Sequence, residues 1–223
     1  WKGHFKNNPP EVPIKDNHVG TYRRTINIPD NWDGRQIIAH FGSVTSNIYL
    51  YVNGQFVGYT EDSKVAAEFD ITPYVKKGAN LIAFQTFRWC DGSYDEDQDF
   101  WRLSGVARDS YLFSRDKNVQ ITDVRVTPDL DENYDKGSLK IDLKYKGGMK
   151  FDFDLLDETG KSVSSSNVTI SAKKTNKLSD GTCTQTLKGL DVKQWSAETP
   201  YLYTLLVKQY QKGKIVSVIP VKV

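Results

Sequence analysis

The chain has 223 residues, of which 38% are hydrophobic and 12% aromatic. That is enough apolar surface for a folded core, and enough length for one large domain or two ordinary ones, so composition excludes a disordered protein. The 30 basic and 28 acidic side chains nearly balance, and no apolar run approaches the roughly 18 residues of a membrane span, so we expect neither nucleic-acid nor membrane binding.

The N-terminal half shows the alternation of apolar and polar residues that predicts β-strands. Three such runs are Tyr22–Ile28, Gln36–Phe41 and Leu81–Trp89. A fourth, Ile48–Tyr59, contains Asn53-Gly54 between two alternating arms. Because Asn-Gly favours the two left-handed positions of a type I′ turn, this run predicts a hairpin.

The predicted strands become shorter and more polar after Arg115-Asp116-Lys117-Asn118. About seven strands in the remaining segment are typical of an immunoglobulin-like sandwich. The first segment, with more strands and longer loops, fits a jelly roll. No helix longer than a turn or two is predicted. We therefore expect an all-β protein with a jelly-roll domain at 1–117 and an immunoglobulin-like domain at 118–223.

Five carboxylates crowd into nine residues of the first domain, and Phe100, Trp101 and Arg102 follow them. The five are Asp91, Asp95, Glu96, Asp97 and Asp99. Glycoside hydrolysis needs two carboxylates about 5 to 10 Å apart across the scissile bond, an arrangement that neighbours on one loop rarely adopt. A self-contained calcium loop would need a glycine and a terminal glutamate that are missing here. We interpret residues 95–97 as a solvated connection between strands.

The residues that follow suggest a more rigid loop. Asp99, Trp101 and Arg102 alternate polar and aromatic groups beside Gly105. This pattern predicts that Arg102 or Arg108 pairs with a carboxylate. Such a carboxylate is either structural alone or offers its free oxygen to a sugar hydroxyl or a cation.

Aromatic rings are a second sugar-binding signal, because a ring face can stack on the apolar face of a pyranose. Trp32, Trp89 and Trp101 are the candidates, although Trp89, at a strand end, is expected in the core. The three histidines, His4, His18 and His40, have no nucleophile motif beside them, and we interpret them as structural. Cys90 and Cys183 give neither zinc-ligand spacing nor a suggested disulfide.

Four longer motifs carry a resemblance to a known family. The segments in question are NPPEVPIKDNHVGTYRRT, VNGQFVGYTEDSKVAAEFDIT, RWCDGSYDEDQDFWRLSGVARD and QWSAETPYLYTLLV. The first three resemble the N-terminal sugar-binding domain of the β-galactosidases of glycoside hydrolase family 2. The fourth resembles the end of the immunoglobulin-like domain that follows it in that family.

The resemblance implies the N-terminal part of a retaining β-galactosidase, which removes terminal non-reducing β-galactose by double displacement with two glutamates. In the family both glutamates lie on a TIM barrel that follows the immunoglobulin-like domain. This chain ends at Val223, where the barrel would begin, and we expect the position of the family's active-site asparagine to fall before Trp1 or to be replaced. We therefore expect no catalytic residue in the chain, an inactive fragment, and a soluble parent in either the cytoplasm or the periplasm.

The resemblance also implies one site residue. Asp99 aligns with the second acid of the family's Asp-Gln-Asp motif, which contacts the galactose 6-hydroxyl and binds sodium. Trp101 and Arg102 would support its loop. Sodium would bind only together with the barrel, magnesium and sodium are expected in the parent enzyme, and the fragment is expected to hold no cofactor. The parent is expected to be a homo-oligomer that binds β-galactosides.

Two other hypotheses stay open at this point. The chain could be a self-sufficient carbohydrate-binding or adhesion module that binds sugar through Trp32 or Trp101. Its domains could also serve mainly to pack subunits together.

Overall fold

The computed structural model describes residues 3–96, 101, 103–147, 150–169 and 180–223. These residues are built from β-strands, with two three-residue 3-10 helices at Asp30–Trp32 and Asp91–Ser93. None of the helices found there has the length or hydropathy to cross a membrane. The all-β prediction is confirmed.

The chain divides into two compact units, residues 1–115 and 116–223. Each unit has a hydrophobic core of its own. The predicted domain limits at 117 and 118 stay a prediction, since compactness alone does not establish independent folding.

The first unit is a sandwich with a four-stranded sheet in the order β1-β7-β4-β5 and a three-stranded sheet in the order β6-β2-β9. A short pair, β3-β8, completes it. The strands are β1 (Val19–Ile28), β2 (Gln36–Phe41), β3 (Val44–Thr45), β4 (Asn47–Val52), β5 (Gln55–Glu61), β6 (Ala67–Asp70), β7 (Gly78–Phe87), β8 (Gly105–Val106) and β9 (Ser110–Arg115).

Alternation along the strands places the core of the first unit between its sheets. In β4, Ile48, Leu50 and Val52 are fully buried and pack in one cluster with Ile37 and Ala39 of β2. Alternate residues of β4 therefore face this core.

The hairpin predicted at Asn53-Gly54 is confirmed. It joins β4 to β5, and both turn residues have positive φ, 52° for Asn53 and 82° for Gly54. These are the left-handed values that a type I′ turn requires.

The second unit is also a sandwich, with sheets in the orders β10-β11-β14 and β13-β12-β15-β16. Its core contains the inward residues Leu139, Ile141 and Leu143 of one sheet and Phe151 and Phe153 of the other. Its seven described strands match the predicted number. They are β10 (Gln120–Leu130), β11 (Gly137–Lys146), β12 (Lys150–Leu156), β13 (Ser162–Thr169), β14 (Gly181–Leu190), β15 (Thr204–Gln211) and β16 (Lys214–Lys222).

Candidate functional site

Residues 91–99, which hold the five clustered carboxylates, are called the acidic stretch. A cavity of about 290 Å³ in the first unit is lined in part by Ser93 and Asp95 of this stretch. Glu96 and Trp101, the described residues on either side of 97–100, both line it, as do Arg88 and Trp89. Asp99 and Arg102 lie outside the described residues. Their predicted roles, Asp99 as substrate and sodium ligand and Arg102 as loop support, stay predictions.

The first part of the acidic stretch, residues 91–96, forms a compact turn that we call the acidic loop. The backbone N–H of Cys90 donates to Ser93 Oγ at 3.0 Å, and the N–H of Ser93 donates back to the Cys90 carbonyl at 3.0 Å. The N–H of Glu96 then donates to the Gly92 carbonyl at 3.0 Å. These local bonds fix the backbone of the loop up to Glu96.

Glu96 is anchored to a distant loop. Its Oε1 accepts from the Ser63 backbone N–H at 2.7 Å, and its Oε2 accepts from Ser63 Oγ at 2.5 Å. Ser63 is 1% exposed. The interpretation of residues 95–97 as a solvated connection is therefore wrong for Glu96, although it holds for the exposed Asp95. No local pattern reveals this contact, because its partner is 33 residues away.

Arg108 contacts backbone carbonyls in the described part of the chain, and its pairing with a carboxylate stays a prediction, because Asp97 and Asp99 lie outside the described residues. Its Nη1 donates to the carbonyls of Lys64 at 2.7 Å and Gly42 at 3.4 Å. A side chain at Gly42 would place its Cβ 2.9 Å from the Arg108 Cβ. Because residue 42 is a glycine, Arg108 can lie close to the backbone there. Its guanidinium then binds the carbonyls of two loops, at Gly42 and at Lys64.

The N-terminal segment is fastened to the same region. Tyr94 Oη donates to the Glu11 carbonyl at 2.5 Å and accepts from the Asn8 N–H at 3.2 Å. The Asn17 amide makes two bonds with the backbone of Trp89, one to the carbonyl at 3.0 Å and one from the N–H at 2.9 Å. The sequence analysis singled out neither Tyr94 nor Asn17 for this role.

The three tryptophans proposed for sugar stacking have different environments. Trp89 is 6% exposed, which confirms its expected place in the core. Trp32 packs, partly buried, against the core of the first unit. Trp101 is 84% exposed at the cavity. Of the three, Trp101 is the one with most of its surface open to a ligand.

The two histidines whose rings have described contacts are held by neighbours. His40 Nδ1 lies 3.0 Å from Glu68 Oε1, and its ring stacks on Tyr111 at 4.5 Å. The His4 ring lies 5.3 Å from the Trp89 ring. These contacts support the structural interpretation of both residues.

Glu61, Cys90 and Asp91 bring three potential metal ligands within 4.8 Å of one another. Burial, together with a hydrogen bond to Glu61, raises the pKa of the Cys90 thiol to about 11, so it stays protonated at neutral pH. Glu61 Oε2 also accepts from the Gly92 N–H at 3.3 Å. Magnesium and sodium prefer several oxygen ligands, and two carboxylates beside a neutral thiol do not make a complete site for either ion.

The second unit has a cavity of about 400 Å³. Aromatic and aliphatic side chains dominate its lining, among them Tyr134, Trp195, Tyr201 and Val223. No predicted site residue lies there, so the first unit holds the candidate site.

Comparison with known proteins identifies the family. Residues 5–116 match the family profile described as "Glycosyl hydrolases family 2, sugar binding domain", and residues 119–223 match "Glycosyl hydrolases family 2". The chain belongs to glycosyl hydrolase family 2. The family resemblance found in the sequence motifs is thus confirmed for both halves.

Relatives of this family 2 chain include proteins named β-galactosidase. It is 37% identical over 228 residues to one from Halalkalibacterium halodurans, a match that covers all of the chain and 22% of the relative. It is 40% identical to one from Vibrio vulnificus strain CMCP6, covering 91% of the chain and 20% of the relative. The chain therefore spans about a fifth of the length of these relatives.

Solved structures share the fold at lower identity. A family 2 member from Bacteroides cellulosilyticus DSM 14838 has a TM-score of 0.77 at 22% identity, covering 92% of this chain and 28% of that one. A β-glucuronidase from Bifidobacterium dentium, complexed with coumarin-3-O-glucuronide, has a TM-score of 0.75 at 18% identity, covering 92% and 39%. These likenesses confirm the two-sandwich fold.

Proposed function

We propose that the chain is the N-terminal, non-catalytic part of a retaining β-galactosidase. The observation that carries this proposal is the 37% identity to a β-galactosidase along the whole chain. The parent enzyme would hydrolyse terminal non-reducing β-D-galactose residues, with both catalytic glutamates on a TIM barrel outside this chain.

In this proposal the first unit supplies one wall of the substrate pocket. Asp99 is the proposed ligand of the galactose 6-hydroxyl and of a sodium ion, with Trp101 and Arg102 as supports of its loop. Support comes from the sequence position of Asp99 between Glu96 and Trp101, both of which line the cavity. A carboxylate accepts hydrogen bonds from sugar hydroxyls and is a hard ligand suited to sodium. Magnesium would bind to the barrel of the parent.

The isolated chain is expected to be inactive. A retaining glycosidase needs an acid/base and a nucleophile about 5 Å apart, and neither role is assigned to a residue of this chain. The inactivity follows from the proposal and stays a prediction.

The first experiment measures hydrolysis of nitrophenyl β-galactoside and nitrophenyl β-glucuronide by the full-length enzyme of which this chain would be the N-terminal part. We expect hydrolysis of the galactoside, a large loss in Asp99→Ala, and no turnover by residues 1–223 alone. Exposed Glu132 provides a control, Glu132→Ala, that should retain wild-type activity. Preference for the glucuronide, or turnover by residues 1–223, would contradict the proposal.

A self-sufficient carbohydrate-binding module is the second candidate, and the exposed Trp101 at a cavity of about 290 Å³ favours it. Titration calorimetry of residues 1–223 with galactose and lactose separates the two. Clear binding that Trp101→Ala abolishes would support the module. Absence of binding would support the enzyme fragment.

We further propose that the parent is a homo-oligomer in which these domains help to pack subunits. Sedimentation velocity of the full-length protein and of residues 1–223 tests this. A monomeric full-length protein would refute it.

A further inference from the structure

We propose that Glu96 is a positioning residue, which fixes the start of the segment carrying Asp99 through its hydrogen bonds with Ser63. The inference rests on the proposed function and adds a residue to it. Glu96 is not expected to touch the substrate. It is expected to act through the placement of Asp99, which follows it by three residues in the sequence.

The Glu96 contact has the geometry of a rigid anchor. Both carboxylate oxygens are engaged by one residue, at 2.7 Å from the Ser63 N–H and 2.5 Å from its Oγ. Hydrogen bonds to an ionised carboxylate are shorter and stronger than neutral ones, and two parallel bonds also fix orientation. The carboxylate can therefore neither rotate nor shift without losing a bond.

Ser63 is itself held in place. It is 1% exposed, and its carbonyl accepts from Ser43 Oγ at 2.5 Å. Ser43 is also 1% exposed. The next residue, Lys64, accepts on its carbonyl from Arg108 at 2.7 Å. Ser43, Ser63 and Glu96 lie on three different loops, so this partly buried network ties those loops together.

The position of the anchor suits a functional role. Glu96 ends the acidic loop, whose backbone is already fixed by its own turn, and it lines the same cavity as Trp101. A misplacement of about 1 Å in a substrate-contacting group can cost on the order of a hundredfold in rate. Loss of the anchor should therefore weaken what Asp99 contributes more than it weakens the fold.

A purely structural role of Glu96 and a positioning role predict different losses of activity on two substrates. If Asp99 contacts the galactose 6-hydroxyl, a 6-deoxy-β-D-galactoside lacks the group that the anchor helps to bind. Loss of Glu96 should then reduce turnover of the galactoside strongly and of the 6-deoxy substrate weakly. A general loss of structure would reduce both equally.

The experiment uses the full-length protein with Glu96→Ala, Ser63→Ala, the double variant, Asp99→Ala and the control Glu132→Ala. We expect Glu96→Ala to lower kcat/KM for nitrophenyl β-galactoside about tenfold, with a much smaller loss on nitrophenyl 6-deoxy-β-galactoside. Ser63→Ala removes the Oγ bond but keeps the backbone N–H bond, so it should show the same selectivity with a smaller loss. The double variant should lose little more than Glu96→Ala alone, because Glu96→Ala already breaks both bonds.

Glu96→Gln, which keeps the side-chain shape, is expected to recover part of the selectivity and serves where Glu96→Ala fails to fold. Equal losses on both substrates, or no loss in either Glu96 variant, would overturn the inference while Asp99→Ala still shows selectivity. A wild-type protein without galactosidase activity would instead refute the proposed function, and this inference with it.

Discussion

Asp70, the last residue of β6, shows how one carboxylate fixes the loop that follows it. Its oxygens accept from Gln36 Nε2 at 2.6 Å, from Thr72 Oγ1 at 2.5 Å and from the Thr72 N–H at 3.0 Å. Burial by itself would raise the pKa of Asp70, but the hydrogen bonds from Thr72 and Gln36 outweigh it and hold the pKa below its ordinary value of 3.8. A lowered carboxyl pKa stabilises the folded state above pH 3.8, and this contribution is lost as the pH falls through the folded-state pKa.

We predict that Asp70→Asn lowers the free energy of unfolding at pH 7 by about 1 kcal/mol. The difference from wild type should be smaller at pH 2, because the stabilisation from a lowered carboxyl pKa is lost as the pH falls through the folded-state pKa. Urea denaturation at both pH values measures it. Asp33→Asn, at another exposed aspartate of the same unit, is the control. An equal difference at pH 7 and pH 2 would contradict the assigned role of the charge.

Two hairpins have turns with the same left-handed backbone conformation, although their turn sequences differ. The β4–β5 turn has φ values of 52° and 82° at Asn53 and Gly54, and the β15–β16 turn has 49° and 76° at Lys212 and Gly213. Asn53 also makes tertiary contacts: its Nδ2 donates to the Tyr74 carbonyl at 2.9 Å and its Oδ1 accepts from the Leu81 N–H at 3.0 Å. The Asn53-Gly54 dipeptide predicted the turn, and the Asn53 side chain also anchors the hairpin to Tyr74 and Leu81.

We predict that Gly54→Ala and Gly213→Ala each cost about 1 kcal/mol, the typical penalty for a left-handed alanine. The cost should be conformational only, since a Cβ at either glycine meets no atom within 4 Å.

Asn53→Lys, which copies the other hairpin, should cost more than either glycine change, because it removes the hydrogen bonds of Asn53. Urea denaturation of the three variants provides the comparison. A lysine tolerated at 53 without loss would show that these hydrogen bonds contribute nothing.

For the whole molecule, the main feature is that the two hydrophobic cores share none of the residues that the structure describes. One is formed by residues of the first unit, from Ile28 to Ile71, and the other by residues of the second, from Ile121 to Val207. Independent folding is the expectation for a unit with its own core.

We predict that residues 116–223, produced alone, unfold in one cooperative transition. A matched chain that starts at residue 131 lacks β10 and should fail to do so, because β10 pairs with β11 along its length. Thermal unfolding followed by near-UV circular dichroism distinguishes them. An unfolded 116–223 segment would show that the second unit depends on the first.

The all-β class, the hairpin at Asn53-Gly54, the strands with clear alternation and the family could all be predicted from the sequence. These depend on neighbours within a few residues, or on motifs long enough to be specific. The two-residue strands β3 and β8 are too short to show a period, and only tertiary pairing forms them.

The candidate site shows the same division. Sequence pattern and resemblance singled out Asp99 and Trp101, but they treated Glu96 as solvated and did not predict the backbone contacts of Arg108. Both contacts depend on the tertiary fold: Glu96 accepts hydrogen bonds from Ser63, 33 residues away, and Arg108 donates to the Lys64 carbonyl, 44 residues away. A hydrogen bond between distant loops depends on where the fold places both partners, and no local pattern of residues encodes that distance.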